Sequence, residues 1–93
     1  MSVPYRFVHI SFVFSGPVPD LKKLEAVFQP ALDWIRYGPS AWILYSNTEL
    51  DIWRDRIHMC SVIRDTDAFF LCEFKNYSGY QLKSTWDWLD KAR

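Results

Sequence analysis

The sequence is poor in the features that mark secreted, membrane-bound or disulfide-rich proteins. It has two cysteines, Cys60 and Cys72, with no CxxC pair or metal-ligand spacing around them, which predicts free thiols in a reducing compartment. No apolar run reaches the roughly 18 residues of a membrane span, and the N-terminus lacks a basic region leading into a signal-peptide cleavage site. We therefore expect a cytoplasmic protein that makes no use of a membrane.

An excess of charge of either sign is also missing. The 11 Lys and Arg residues balance 11 Asp and Glu residues, and basic residues form no cluster longer than two, so charge alone does not predict salt-sensitive nucleic-acid binding. Aromatic residues are abundant instead, with five Trp, five Tyr and seven Phe among 93 residues. One small domain spanning residues 1–93 cannot easily hide them all, which places part of them at an interface.

The stretch at residues 5–14 predicts the strand around which the chain is organised, because it is β-branched or aromatic at most positions. Its even-numbered positions from 8 to 14 are uniformly apolar and are expected to face the core. The opposite phase is mixed and consists of Phe7, His9, Ser11 and Val13. A strand of this kind is typical of the centre of a sheet.

The rest of the chain alternates helical and strand patterns. Helical spacing predicts a helix over residues 20–29, capped by Asp20, and a second over residues 48–64. Aromatic and β-branched runs at 33–37 and 41–45 indicate a hairpin, and residues 68–74 a fourth strand. Capping-box patterns are predicted at the starts of the second helix and of a short C-terminal helix, formed by Thr48 with Asp51 and by Ser84 with Asp87.

This order predicts an α+β fold, the ferredoxin-like β-α-β-β-α-β sandwich, with a short C-terminal helix in an appendage at about residues 76–93. Both main helices should lie on one face of a four-stranded antiparallel sheet, with the first and third strands central. The other face is then bare, and the simplest way to cover it is a second copy of the chain related by a two-fold axis. The expected homodimer interface contains Phe7, His9, Ser11, Val13, Tyr77 and Tyr80.

Three motifs, in order along nearly the whole chain, resemble the small SinR-like proteins grouped with CRISPR-associated protein 2. They are Ser-Ala-Trp-Ile-Leu at 40–44 with Arg-Asp-Arg-Ile at 54–57, the strand at 67–74 with Glu73 near its end, and Asn-Tyr-Ser-Gly-Tyr at 76–80 leading to Trp-Asp-Trp-Leu at 86–89. The resemblance implies a ferredoxin-like homodimer related to metal-dependent nucleases and DNA-handling adaptors. VapD-type toxin ribonucleases share the architecture more distantly.

The chain departs from this family at one functional position. The resemblance implies an aspartate near the end of the first strand, but Val13 occupies that place and no acid lies between Met1 and Val18. Valine neither coordinates a divalent cation nor polarises water. This favours a non-catalytic dimeric adaptor or scaffold, without a cofactor, that holds a further protein of unknown identity.

Two other functions stay open at this stage. A divergent metal-dependent nuclease or toxin-type ribonuclease would need acids from elsewhere, such as Asp65, Asp67 or Glu73. A non-cleaving nucleic-acid-binding dimer would use Arg54 and Arg56 on phosphates, or Trp86 and Trp88 on bases.

Each of these residues also has a structural interpretation. His9 and Ser11 can bind a metal or shuttle a proton, or simply be hydrogen-bonded at an interface. Glu73 is expected to pair with a nearby Arg or Lys, and Asp65 and Asp67 fit a capped turn. The Arg54–Arg56 run fits a solvated helix face, and the two tryptophans fit packing against the sheet or a partner.

Overall fold

The computed structural model describes residues 4–91 and residue 93 of a small α+β protein. Its elements are β1 (Arg6–Val13), α1 (Leu21–Ala26), β2 (Asp33–Gly38), β3 (Ala41–Ser46), α2 (Leu50–Met59), β4 (Ala68–Phe74) and α3 (Lys83–Leu89). Every predicted strand and helix is present, although α1 and α2 are shorter than their helical patterns. None of the helices in the described part of the chain has the length and apolar character needed to cross a membrane.

The four strands form one open antiparallel sheet in the order β2-β3-β1-β4. β1 therefore lies in the interior, with Val8 opposite Leu44 of β3 on one side and Glu73 of β4 on the other. Four antiparallel strands and three helices are compatible with the ferredoxin-like arrangement expected from the sequence.

The hydrophobic core lies between the sheet and helices α1 and α2. Val8, Ile10 and Phe12 of β1 are buried there, as their alternation predicts. They belong to one cluster with Leu24 of α1, Trp53 and Ile57 of α2, and the aromatic residues Phe28 and Trp42. Trp42 also donates a hydrogen bond from Nε1 to the Glu25 carboxylate at 2.9 Å, so the buried ring keeps its polar atom satisfied.

The cap of α1 is confirmed, because the Asp20 carboxylate accepts a hydrogen bond from the Lys22 amide at 3.0 Å. The prediction of a capping box at the start of α2 is wrong. Glu49 is the N-cap and makes no side-chain cap bond. The amide of Thr48 instead donates to the Ser46 hydroxyl at 3.0 Å. A neighbouring side chain has therefore taken up an amide at the start of the helix.

The capping box at α3 is also wrong, because Leu82 is the N-cap and has no side-chain cap bond. Asp87 lies one turn away from Lys83 instead, and their charged groups approach to 2.8 Å. Residues four apart face each other on a helix, so the carboxylate is drawn to the exposed ammonium rather than to the helix end.

The prediction that the second sheet face is bare needs correction. The chain after β4 turns back, and α3 packs over one end of that face, where Trp88 contacts Phe7 with ring centroids 5.8 Å apart. The expectation that the C-terminal tryptophans dock is thus confirmed for Trp88. A short helix gains its stability from such packing rather than from its own propensity.

Candidate functional site

The candidate site is the sheet face opposite α1 and α2, called here the open face. Its side chains come from alternate positions of the strands. They are Phe7, His9, Ser11 and Val13 of β1, Ala41, Ile43 and Tyr45 of β3, Ala68, Phe70, Cys72 and Phe74 of β4, and Asp33, Ile35 and Tyr37 of β2. The C-terminal residues divide this face into a covered end, a cleft and an uncovered end.

The covered end is an aromatic cluster centred on Phe7. This ring stacks on Phe74 at 5.5 Å and meets Tyr77 edge-on at 6.2 Å. The Tyr77 hydroxyl donates to the Asp90 carboxylate at 2.9 Å. Two of the six predicted interface residues, Phe7 and Tyr77, are therefore packed within their own chain.

Asp33, at the start of edge strand β2, fastens the C-terminal segment to this end. Its Oδ2 accepts hydrogen bonds from Trp88 Nε1 at 3.0 Å and from the Arg93 guanidinium at 3.2 Å. The guanidinium also lies 4.5 Å from the centroid of Trp88 and 4.7 Å from that of Tyr45. Cation–π contacts with two rings and an ion pair with Asp33 thus hold the same arginine.

His9 lies in the middle of the open face, half-buried, and shares a hydrogen bond with the Tyr37 hydroxyl through Nε2. Tyr37 comes from edge strand β2, where the pairing register shifts between Arg36 and Gly38. Such an irregularity re-aims a side chain. Burial lowers the pKa of His9, so its imidazole is neutral at pH 7. Burial, followed by the electrostatic influence of the nearby Cys72, raises the pKa of Tyr37.

A cleft of about 300 Å³ opens between this part of the sheet and the C-terminal segment. Cys72 stands next to His9 across the β1–β4 ladder and lines the cleft together with it. The full lining comprises His9, Tyr37, Ile43, Cys72 and Phe74 from the sheet, and Asn76, Tyr77, Ser78, Gln81, Thr85, Trp86 and Leu89 from the segment. We call this space the His9–Cys72 cleft.

The uncovered end of the open face carries exposed apolar side chains. Val13 is 70% exposed and Phe70 is 64% exposed. They are diagonal neighbours, because Ser11 is opposite Phe70 and Val13 is opposite Ala68. We call these four residues the uncovered patch. It contains two of the predicted interface residues, Ser11 and Val13. The sixth, Tyr80, points into solvent from the segment before α3.

Glu73 takes the structural role that the sequence favoured. Its carboxylate pairs with Arg6, which also reaches Glu49 at 3.4 Å and donates to the Thr48 carbonyl at 2.9 Å. Glu73 is opposite Val8, whereas Val13 is opposite Ala68 at the other end of the ladder. The structure therefore does not bring Glu73 to the place of the missing aspartate.

Asp67 caps the turn before β4, which is one of the two roles that the sequence left open for it. Its carboxylate accepts hydrogen bonds from the backbone amides of Arg64 and Ser15, both at 2.8 Å. The Arg64 amide, then the Ser15 amide, lower the pKa of Asp67 to about 2, because both donors favour the ionised form. Asp65 is exposed.

The predicted nucleic-acid contacts lie on the exposed side of α2. Arg54 pairs with Asp55 at 3.1 Å, both well exposed, and the Arg56 guanidinium sits 5.2 Å from the centroid of the buried Trp53. An exposed pair of this kind contributes little to stability. Among residues 4–91 and 93, no three His, Cys, Asp or Glu side chains converge so that they could hold a metal ion.

Sequence reasoning missed three participants in this face. Phe70 and Cys72 share the phase of Phe74, so the alternation of β4 already carried a signal for them. Tyr37 had no such signal, because its meeting with His9 depends on the irregular end of β2.

Comparison of the chain with family models, curated proteins and solved structures gives no match. The resemblance to the SinR-like and CRISPR-associated protein 2 families therefore stays a prediction from the motifs.

Proposed function

We propose that this chain is a non-catalytic, homodimeric adaptor with a ferredoxin-like fold, related to the SinR-like and CRISPR-associated protein 2 families. Its two copies meet through the uncovered patch, and the dimer holds a further protein. The free Cys60 and Cys72 fit the cytoplasmic location that the proposal includes.

The observation that carries the proposal is the exposure of Val13 and Phe70, 70% and 64%, on a regular sheet face. Neighbouring apolar side chains exposed in this way are characteristic of association surfaces. The patch is completed by Ser11 and Ala68 and contains no charged residue. A two-fold axis can therefore place it against its own copy without setting like charges face to face.

Two further features support a non-catalytic role. Val13, which stands where the family pattern has an acid, lies within the proposed interface. Two of the three acids considered as substitutes already make contacts within the chain, since Glu73 pairs with Arg6 and Asp67 caps a turn.

Light scattering behind a sizing column tests the dimer. The expected mass is about twice the 11.1 kDa of one chain. Phe70→Asp should shift the protein to the monomer, because each dimer would bury two unpaired carboxylates. Leu32→Asp is the matched control, since Leu32 is 63% exposed but precedes β2 at the other end of the sheet, and it should stay dimeric.

A monomeric wild-type protein at micromolar concentration overturns the homodimer. A Phe70→Asp variant that keeps the dimer mass would show that the dimer interface lies outside the uncovered patch. Capture of a protein from the native host by the wild type and by Leu32→Asp, but not by Phe70→Asp, would show that the uncovered patch is needed for the adaptor function.

A further inference from the structure

The His9–Cys72 cleft has the form of a small-molecule site. It is bounded below by the sheet and above by the C-terminal segment, so two separate parts of the chain supply its walls. Its volume of about 300 Å³ lies at the lower limit of the roughly 300–1,000 Å³ of ligand pockets. That space suits a molecule of about two fused rings.

The lining indicates the charge of the ligand. None of the described lining residues is Lys, Arg, Asp or Glu, and the imidazole of His9 is neutral at pH 7 because burial lowers its pKa. A charged group entering this space would lose water without gaining a counter-ion. The cleft therefore discriminates against anions and cations.

The lining also indicates the shape of the ligand and its polar groups. Trp86 is stacked on Tyr77 with an angle of 25° between the rings, and Phe74 adds a further aromatic surface. Flat apolar walls favour a flat aromatic guest. The amides of Asn76 and Gln81 add donors and acceptors, which suit heteroatoms at the edge of such a ring.

We propose that the His9–Cys72 cleft binds an uncharged, flat heteroaromatic molecule of about two rings, held between the aromatic walls and the polar groups of the lining. This binding is separate from the adaptor function, because the uncovered patch contributes no residue to the cleft.

The two cysteines allow a direct test. Both are free and partly buried, but only Cys72 lines the cleft, whereas Cys60 follows the end of α2. The rates at which iodoacetamide alkylates each thiol are followed by peptide mass spectrometry, with adenine or indole-3-carboxamide present at millimolar concentration. Bound probe should slow alkylation of Cys72 at least about threefold, by mass action, and leave Cys60 unchanged. Indole-3-carboxylate, the charged counterpart of similar shape, should protect neither thiol.

A filling variant locates the binding. Ser78→Trp places a large ring at an exposed lining position and should abolish the protection of Cys72 by the probes. Ser84→Trp is the control, because Ser84 is exposed on α3 but does not line the cleft, and it should keep the protection. An unchanged Cys60 rate in both variants shows that the fold is intact. Phe70→Asp should also keep the protection, whether or not the wild type is a dimer.

The proposal falls if neither uncharged probe slows alkylation of Cys72 in the wild type, or if both thiols are protected equally. Equal protection by the carboxylate overturns the selectivity for uncharged molecules. Protection that persists in a folded Ser78→Trp variant places the binding outside the cleft.

Discussion

The carboxylate of Asp33 accepts a hydrogen bond from the indole nitrogen of Trp88 at 3.0 Å, across 55 residues of chain. Asp33 opens an edge strand, and Trp88 belongs to the helix that folds back over the sheet. This contact is one of those that hold the C-terminal segment over the open face. The same carboxylate also receives Arg93.

We expect Asp33→Asn to loosen the C-terminal segment. The amide keeps a weaker acceptor for Trp88 and loses the ion pair with Arg93, which should lower the free energy of unfolding by about 1–2 kcal/mol. Hydrogen exchange should show faster exchange in α3, and urea unfolding should report the loss of stability. Asp55→Asn is the control, because among the described residues that exposed carboxylate pairs with its neighbour Arg54 alone, and its effect should stay within about 0.5 kcal/mol. Unchanged exchange in α3 would show that Asp33 does not hold the segment.

Asp67 should make the protein sensitive to acid. Its pKa is lowered from 3.8 to about 2 in the folded state, so the unfolded state binds the proton more tightly. The corresponding stability is fully present above about pH 4 and is lost as the pH falls towards about 2. Melting temperatures measured across this range should fall less steeply for Asp67→Asn than for the wild type. The exposed Asp65→Asn should melt like the wild type, and an identical acid profile for all three proteins would contradict the prediction.

His9 should contribute a second pH dependence at higher pH. Burial lowers its pKa below the ordinary 6.5, so protonation favours the unfolded state. The free energy of unfolding should therefore decrease as the pH drops below about 6.5 and level off below the folded pKa. The only other histidine is the exposed His58. In His58→Gln, the remaining imidazole signal in NMR should titrate below 6.5, and His9→Gln should lose this part of the stability profile. A midpoint above 6.5 would refute the assignment.

We expect the purified protein to leave RNA and DNA intact with Mg²⁺ or Mn²⁺. Hard oxygen ligands would be needed, and the uncovered patch presents Val13 and Phe70 instead. Mg²⁺ should also leave the melting temperature unchanged, because only a cation that binds the native state stabilises it. Cleavage that follows the protein peak on a column, and that disappears in Glu73→Ala or Asp67→Ala, would establish a relocated nuclease site and displace the adaptor proposal.

The sequence predicts the sheet and its helix-bearing face well because the signal there is strong. Val8, Ile10 and Phe12 are apolar without interruption and all three are buried. The opposite phase of the same strand predicts a sheet face that α1 and α2 do not cover, and Val13 at the end of that phase is exposed. Alternation within one strand is a local property of the sequence. It correctly predicts which side chains face the core wherever one face of the sheet packs on helices.

The position of the C-terminal segment could not be predicted from a local pattern of this kind. Its two tryptophans indicate docking, but the partner of Trp88 is an aspartate 55 residues earlier. The failed capping boxes have a related cause. The motif is a local pattern, whereas the Thr48 amide was taken by Ser46 and Asp87 by Lys83. Competition among nearby polar groups decides such positions.

The central place of β1 means that its pairing partners are strands made later in the chain. Both strands beside it lie later in the sequence, since β3 begins at Ala41 and β4 ends at Phe74. The β2–β3 hairpin closes over a short turn and needs no distant partner, whereas β1 must close two long loops. During synthesis on the ribosome, β1 emerges before β3 and β4, so its edge on the β4 side stays unpaired until β4 is made. It is therefore the segment that a chaperone would meet on the nascent chain.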